Sequence, residues 1–304
     1  MRVAVIGSGA IGTVLAGAAA DSGHDVTVCA RTPIDSLVLE CGEGEGGAGA
    51  RVLAVTIATD PRGEGLPSAD VVWVTTKLTD IAGAGPWLER LCGPSTVVAA
   101  AQNGLDHEAH LAPFAPAGRV VPALAYVAAE RIRPGRVRHL AGDRIVVPAD
   151  VQETLAATVS GGGLVVRGVT DMRTALWQKL LGNLVANPIT ALTMRRIGVM
   201  REPGIADLAR GLLAEAIKVG RAEGAQLGDH DVDAVLAGTS RYGESTGSSM
   251  LYDRLAGRPL EHQYLTGEVV RRANAHGIAV PLNSAVLALL EAVDRGREDL
   301  PAPA

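Results

Sequence analysis

Over the first half of the chain, short apolar runs alternate with longer segments whose apolar residues recur at helical spacing. The runs are RVAVIG (2–7), DVTVCAR (25–31), DVVWVTTK (70–77) and STVVAAAQN (95–103). Each is apolar along most of its length rather than at every second position, which predicts parallel strands covered on both faces. Between the first two lies IGTVLAGAAADSGH (11–24), a helical segment closed by Gly23. This is the βαβ pattern of a parallel sheet. The stretch ECGEGEGGAGA (40–50) predicts a mobile Gly-rich loop, and strand-like RVLAVTIATD follows at once. From Val120 to Val169 the runs RVVPALAYVAAE, GRVRHLAG, DRIVVP and GLVVRGV predict strands that extend the same sheet, with a helix over DVQETLAATVSGGG.

After Thr170 the strand pattern stops. Helical periodicity takes over at 171–187, 203–223, 229–238, 248–257, 261–276 and 282–295. The expected boundary lies at 168–170, giving domains 1–169 and 170–304. A length of 304 residues agrees with two domains.

Composition narrows the function classes. Hydrophobic residues make up 47% and charged residues 20%, so packed cores are expected, and at 3% aromatics they must be built from Ala, Val, Leu and Ile. The net charge is −5, with no Lys/Arg block of the kind that grips nucleic acid or anionic lipid. No apolar run reaches the roughly 18–20 residues of a membrane span. Cys29, Cys41 and Cys92 have no zinc-site spacing, and no metal is expected. With no leader-like segment ahead of RVAVIG, a cytoplasmic protein is expected.

GSGAIG places glycines at 7, 9 and 12, directly after a strand and opening a helix, the context that gives this motif meaning. Gly7 makes the tight turn, Gly9 lets the backbone approach a pyrophosphate, and Gly12 allows close helix–strand packing. Ser8, Ala10 and Ile11 complete a helix N-terminus whose N–H groups suit phosphates. The fold expected is therefore α/β, a Rossmann-type dinucleotide-binding domain followed by an all-helical C-terminal domain. NAD-binding versions usually end the second strand with an acid for the ribose 2′-hydroxyl. Here Val28, Cys29 and Ala30 offer none and Arg31 follows, which suits a 2′-phosphate and points to NADP(H). Lys77 is a candidate second phosphate partner. For both, a solvated surface cation is the competing reading. Asn103, in QNG, suits a nicotinamide carboxamide or a substrate oxygen, against an ordinary Asn-Gly turn.

The segment TALWQKLLGNLVANPITALT (174–193) carries Lys179, Asn183 and Asn187 four residues apart. At helical geometry they advance about 40° per step and form one polar stripe. Pro188 is expected to end the helix at Asn187. A solvated face usually mixes Glu, Lys and Arg; one Lys with two short amides, which lower helix propensity, better suits fixing a ligand's oxygens. Lys179 is a plausible general acid for a 2-oxo acid reduced by hydride. Ser249 is expected to begin a helix, as cap or carboxylate contact. Glu261 is expected to start another, where the dipole favours an acid in any case.

Together the segments VAVIGSGAIG, VTTKLTD, QNG, DMRTALWQKLLGNLVANPITALT, SSMLYDRLAGRPLE and RRANAHGIAVPLN give a chain that resembles the ketopantoate reductase (2-dehydropantoate 2-reductase) family over nearly its whole length. The resemblance implies NADPH-dependent reduction of 2-dehydropantoate to pantoate in pantothenate biosynthesis, in a cleft between the two domains. It implies Lys179 as proton donor, Glu261 beside it in binding or catalysis, and Asn183, Asn187 and Ser249 on the substrate. Asn103 falls at the cofactor–substrate junction, and Arg31 with Lys77 favours NADP. The expected partner is a small 2-oxo acid, with a homodimer as the expected assembly. Two departures bear on substrate choice. LEHQY stands where the family commonly reads T-E-I-D, so His262 and Gln263 replace an apolar residue and an acid, and the turn after VRH is altered to LAGDRIVVP. The rival functions are a same-fold reductase of a different 2-oxo or β-hydroxy acid, and a non-catalytic NADP(H)-binding sensor.

Overall fold

The computed structural model describes residues 1–41, 49–63, 65–241 and 243–299. Most of the Gly-rich stretch at 40–50 therefore lies outside the described residues. The chain divides into two compact units, Met1–Gln102 with Asp106–Met172, and Asn103–Leu105 with Arg173–Ala304.

The first unit runs β1 (Arg2–Ile6), α1 (Ala10–Asp21), β2 (Asp25–Cys29), β3 (Val38–Cys41), β4 (Arg51–Val52), β5 (Thr56–Ala58), β6 (Val71–Val74), α2 (Gly85–Leu91), β7 (Val97–Ala100), α3 (His107–Leu111), β8 (Arg119–Pro122), β9 (Leu124–Arg133), β10 (Arg136–Pro148), α4 (Gln152–Val159) and β11 (Val165–Val169). Six strands form a parallel sheet in the order β5-β2-β1-β6-β7-β8. In the centre, Val5 stands opposite Val28 on one side and Trp73 on the other. Val71–Val74 is buried throughout, which is why β6 is apolar at successive positions.

The later strands do not all extend this sheet as the sequence suggested. Only β8 does; β9, β10 and β11 join β3 and β4 in a second sheet, ordered β11-β10-β3-β4 with β9 paired to β10. The reason is chain geometry. A single residue, Ala123, separates β8 from β9, too little for a turn, so β9 cannot fold back beside its predecessor. It pairs antiparallel with β10 instead, across a turn in which Gly135 takes φ 76°. The run RVLAVTIATD is likewise split: β4 joins the second sheet, while β5 forms the edge of the first.

Helix α1 packs in one core with side chains of both sheets, including Val5, Trp73, Leu39 and Ile145. Every residue from Gly12 to Ala19 is buried. Small residues make that possible: a Cβ on Gly17 would stand 3.0 Å from Leu39 Cδ2. One helix thus ties the glycine turn rigidly to the sheets around it.

The second unit contains α5 (Met172–Thr193), α6 (Pro203–Ala222), α7 (His230–Arg241), α8 (Ser249–Leu255), α9 (Thr266–Ala275) and α10 (Pro281–Arg295). Contrary to the expectation from Pro188, α5 does not stop at Asn187 but runs on to Thr193. The lost backbone bond is outweighed by burial: Leu184, Val185, Pro188, Ile189 and Ala191 are all buried, most of them within the helical core. Arg254 then donates to the Ala191 carbonyl, satisfying the end of the helix. Glu261 does not start α9 as expected. It precedes a single 3-10 turn, His262–Tyr264, and α9 follows at Thr266. Buried Glu215 accepts from the Leu282 and Asn283 N–H groups, both at 3.0 Å, and so closes the N-terminus of α10. Among the described residues no helix is long and apolar enough to cross a membrane.

Candidate functional site

In the first unit the functional groups are backbone. Gly7, at φ 111°, ends β1 and donates its N–H to the Cys29 carbonyl at 2.9 Å. Thr75, just beyond β6, donates its hydroxyl to the Ile6 and Gly7 carbonyls, both at 3.0 Å. A Cβ on Gly12 would stand 1.9 Å from the Gly7 carbonyl oxygen, so only glycine lets α1 begin so close to the turn. Gly9 is different: a Cβ there would meet nothing within 4 Å. Gly9 caps α1 through its backbone, its carbonyl accepting from Thr13 at 2.9 Å, and no side chain caps this end. No acid occupies the first turn either. The N–H groups of Ala10, Ile11 and Gly12 therefore have no intrahelical acceptor, and Ser8 and Gly9 form the open edge of the turn. An open helix N-terminus of this kind suits an anion, and the residues present fit the pyrophosphate of a dinucleotide.

Arg31, the second residue beyond β2, is exposed, and its Nη1 lies 2.6 Å from Asp80 Oδ2. Asp80 belongs to the 3-10 segment Leu78–Ala84 beyond β6. Lys77 is half-buried at the start of that segment, three residues past the end of β6 rather than on it. Because β2 and β6 flank β1, Arg31 and Lys77 lie beyond the carboxyl ends of the two strands beside the glycine turn. That rim is where open parallel sheets bind ligands.

In the second unit the functional groups are side chains. Asn103 belongs to this unit through its contacts, although 70 residues separate it from Arg173. Its amide is used at both ends. Nδ2 donates to Glu261 Oε2 at 3.3 Å, and Oδ1 accepts from Asn183 Nδ2 at 3.1 Å. Glu261 is only 4% exposed, so its carboxylate depends on such donors. Lys179 is half-buried one turn before Asn183 on α5. One turn after it, buried Asn187 accepts through Oδ1 from the Ser249 hydroxyl at 3.1 Å and the Met250 N–H at 3.3 Å.

The structure thus links Asn103, Asn183 and Glu261 in one run and Asn187 with Ser249 in another, with Lys179 on the same helix. Ser249 is not the cap of α8. Ser248 is, accepting from the Leu251 N–H at 3.1 Å while its hydroxyl also bonds Thr190 at 2.6 Å. That leaves the exposed Ser249 hydroxyl to Asn187. Thr75 and Asp80 were not among the residues singled out from the sequence, and of the two serines it offered, Ser249 rather than Ser248 was the candidate cap. SSM holds two serines either of which could cap, and the partners of Thr75 and Asp80 lie 49 to 69 residues away, where no local pattern reaches.

Comparison with known proteins agrees with this architecture. The chain matches the family model described as ketopantoate reductase PanE/ApbA over residues 3–151, and its C-terminal companion over residues 171–294. It is 40% identical over 292 residues to a protein named 2-dehydropantoate 2-reductase from Caulobacter vibrioides, covering 95% of this chain and 98% of that one. A protein of the same name from Mycobacterium tuberculosis is 37% identical over 295 residues, covering 97% and 98%. Among solved structures, a dimeric ketopantoate reductase from Staphylococcus aureus superposes with a TM-score of 0.86 at 25% identity, covering 98% of this chain and 100% of that one.

Proposed function

This chain belongs to the ketopantoate reductase family, oxidoreductases that work with a nicotinamide dinucleotide, and from that premise we propose that it reduces 2-dehydropantoate to pantoate with NADPH. A bound reduced nicotinamide would supply the hydride for this reduction. The rest falls to the chain. The Lys179 ammonium gives a proton to the carbonyl oxygen as negative charge develops there, which completes the alcohol. Glu261, buried and held by Asn103, serves beside the lysine in binding or catalysis. Asn183 and Asn187 fix substrate oxygens, and the Ser249 hydroxyl takes the substrate carboxylate. The open turn at Gly7, Ser8, Gly9, Ala10, Ile11 and Gly12 holds the pyrophosphate, and Arg31 with Lys77 holds the 2′-phosphate.

The observation that supports this most is the hydrogen-bonded run Glu261–Asn103–Asn183, which ends on the helix that carries Lys179. Polar groups fixed by one another need little reorganisation when charge appears beside them, which a substrate-free helix face has no reason to provide. The same reading takes the protein to be a cytoplasmic homodimer, in line with the dimeric relative from Staphylococcus aureus. Lys179→Ala tests the chemistry. Turnover with NADPH and 2-dehydropantoate is expected to fall by about 10²- to 10⁴-fold, the size of a general-acid contribution, while NADPH still binds. Wild-type turnover in that variant removes Lys179 from the reaction.

A further inference from the structure

The acid that NAD-binding sheets usually carry at the end of the second strand is absent here, since β2 ends at Cys29 and is followed by Ala30 and Arg31. A carboxylate nevertheless reaches the same rim from the other side of β1. Asp80 comes from the segment after β6, and its Oδ2 sits 2.6 Å from Arg31 Nη1. The placement is specific. Asp80 interrupts its 3-10 segment with φ −127° and ψ 30°, and its N–H donates to the Lys77 carbonyl at 2.9 Å. Gly83 leaves room for it: a Cβ there would stand 2.9 Å from Asp80 Oδ1. The pair is open to solvent, with the Arg31 side chain 81% and the Asp80 side chain 44% exposed. Both groups are therefore accessible to a ligand arriving at that rim.

We infer that Asp80 is a specificity-determining residue for the cofactor, acting on the choice between NADPH and NADH. This rests on the reading that the glycine turn and Arg31 hold a nicotinamide dinucleotide. A guanidinium offers five donors in a fixed fork, and Asp80 engages one nitrogen of it. A 2′-phosphate taken by the remaining donors brings its charge within a few ångströms of the Asp80 carboxylate. Like charges at that separation repel, so Asp80 opposes the NADPH phosphate and competes with it for Arg31. NADH presents a 2′-hydroxyl in the same place. That hydroxyl is a donor, and Asp80 is an acceptor beside it, doing from the β6 side what an acid at the end of β2 does elsewhere. Arg31 thus favours NADPH and Asp80 narrows the preference, leaving the chain able to use NADH more readily than Arg31 alone predicts.

The test is binding without substrate, read as dissociation constants of NADPH and NADH for wild type, Asp80→Asn and Asp80→Ala, at low and high salt. Adenosine 2′,5′-bisphosphate and adenosine 5′-monophosphate serve as probes of the adenosine end alone. Neutralising Asp80 is expected to tighten NADPH and the 2′,5′-bisphosphate by roughly 3- to 5-fold, the upper scale of an exposed charge pair. It leaves NADH and the monophosphate unchanged or weaker, and the gain shrinks at high salt. A ratio of NADPH to NADH affinity within about twofold of wild type in both variants overturns the assignment, as does weaker NADPH binding, which makes Asp80 a support for Arg31 rather than a competitor. Wild-type protein that binds neither dinucleotide removes the cofactor reading itself, a result distinct from an unchanged ratio.

Discussion

At the turn over residues 7–12 the groups that matter are backbone; along the run from Glu261 to Asn183 they are side chains. The first is fixed by what is missing. Gly12 has no Cβ to strike the Gly7 carbonyl, and Gly9 has none to fill the open space beside it. The second is fixed by what is present, three side chains from positions 103, 183 and 261 that satisfy one another. A backbone site is encoded within a few residues and tolerates change elsewhere. A side-chain site is assembled from distant segments, so each member depends on the others.

That contrast can be broken at each end. The largest effect on stability is expected from Gly12→Ala. Its Cβ would lie 1.9 Å from a backbone oxygen, which no side-chain movement can relieve. The cost is about 1–3 kcal/mol or more, read as a lower urea midpoint. Asn103→Ala comes next. It withdraws a donor from buried Glu261 and an acceptor from Asn183, at about 1–3 kcal/mol, seen as roughly a 10- to 100-fold loss in kcat/KM with NADPH binding retained. Gly9→Ala is the control for the first variant. With no atom in reach and an ordinary φ of −77°, it should unfold within about 1 kcal/mol of wild type, yet bind NADPH at least about 10-fold more weakly, because a pyrophosphate must approach that face. A Gly9→Ala protein with wild-type affinity argues against the cradle.

The smallest expected effect lies away from both regions. Glu223, at the end of α6, binds Arg272 and His276 of the α9 segment. Burial raises its carboxyl pKa, but the His276 hydrogen bond and the Arg272 charge outweigh this and hold it below the ordinary 4.5. A depressed folded value means the contribution is present above about pH 4.5 and is lost as pH falls through the lower folded value. Glu223→Gln should therefore cost about 1 kcal/mol or less at pH 7, and the difference from wild type should vanish in acid. Urea midpoints at several pH values measure it.

Much of the frame was legible because it is local. Apolar runs marked the parallel strands, glycine spacing marked the turn that opens α1, and four-residue spacing placed Lys179, Asn183 and Asn187 on one helix. What was not legible depends on partners far along the chain. The second sheet forms because β9 starts one residue after β8 and must find another strand, a consequence of the turn that only the fold reveals. Helix α5 survives Pro188 because the residues around it are buried against the rest of the unit, which overrides the local preference. Glu261 sits ahead of a 3-10 turn although its flanking sequence has helical periodicity. Asp80 meets Arg31 across 49 residues, so the sequence showed a cation at the rim without the acid that pairs with it.

Reduction of 2-dehydropantoate with NADPH is read from the initial rate of NADPH oxidation by the wild-type protein with that acid beside a series of other 2-oxo acids. Rapid oxidation is expected with 2-dehydropantoate, at a kcat/KM at least about 10-fold above every other acid in the series, a margin of one well-fitted contact. No oxidation with any 2-oxo acid, or a clear preference for a different one, would contradict it.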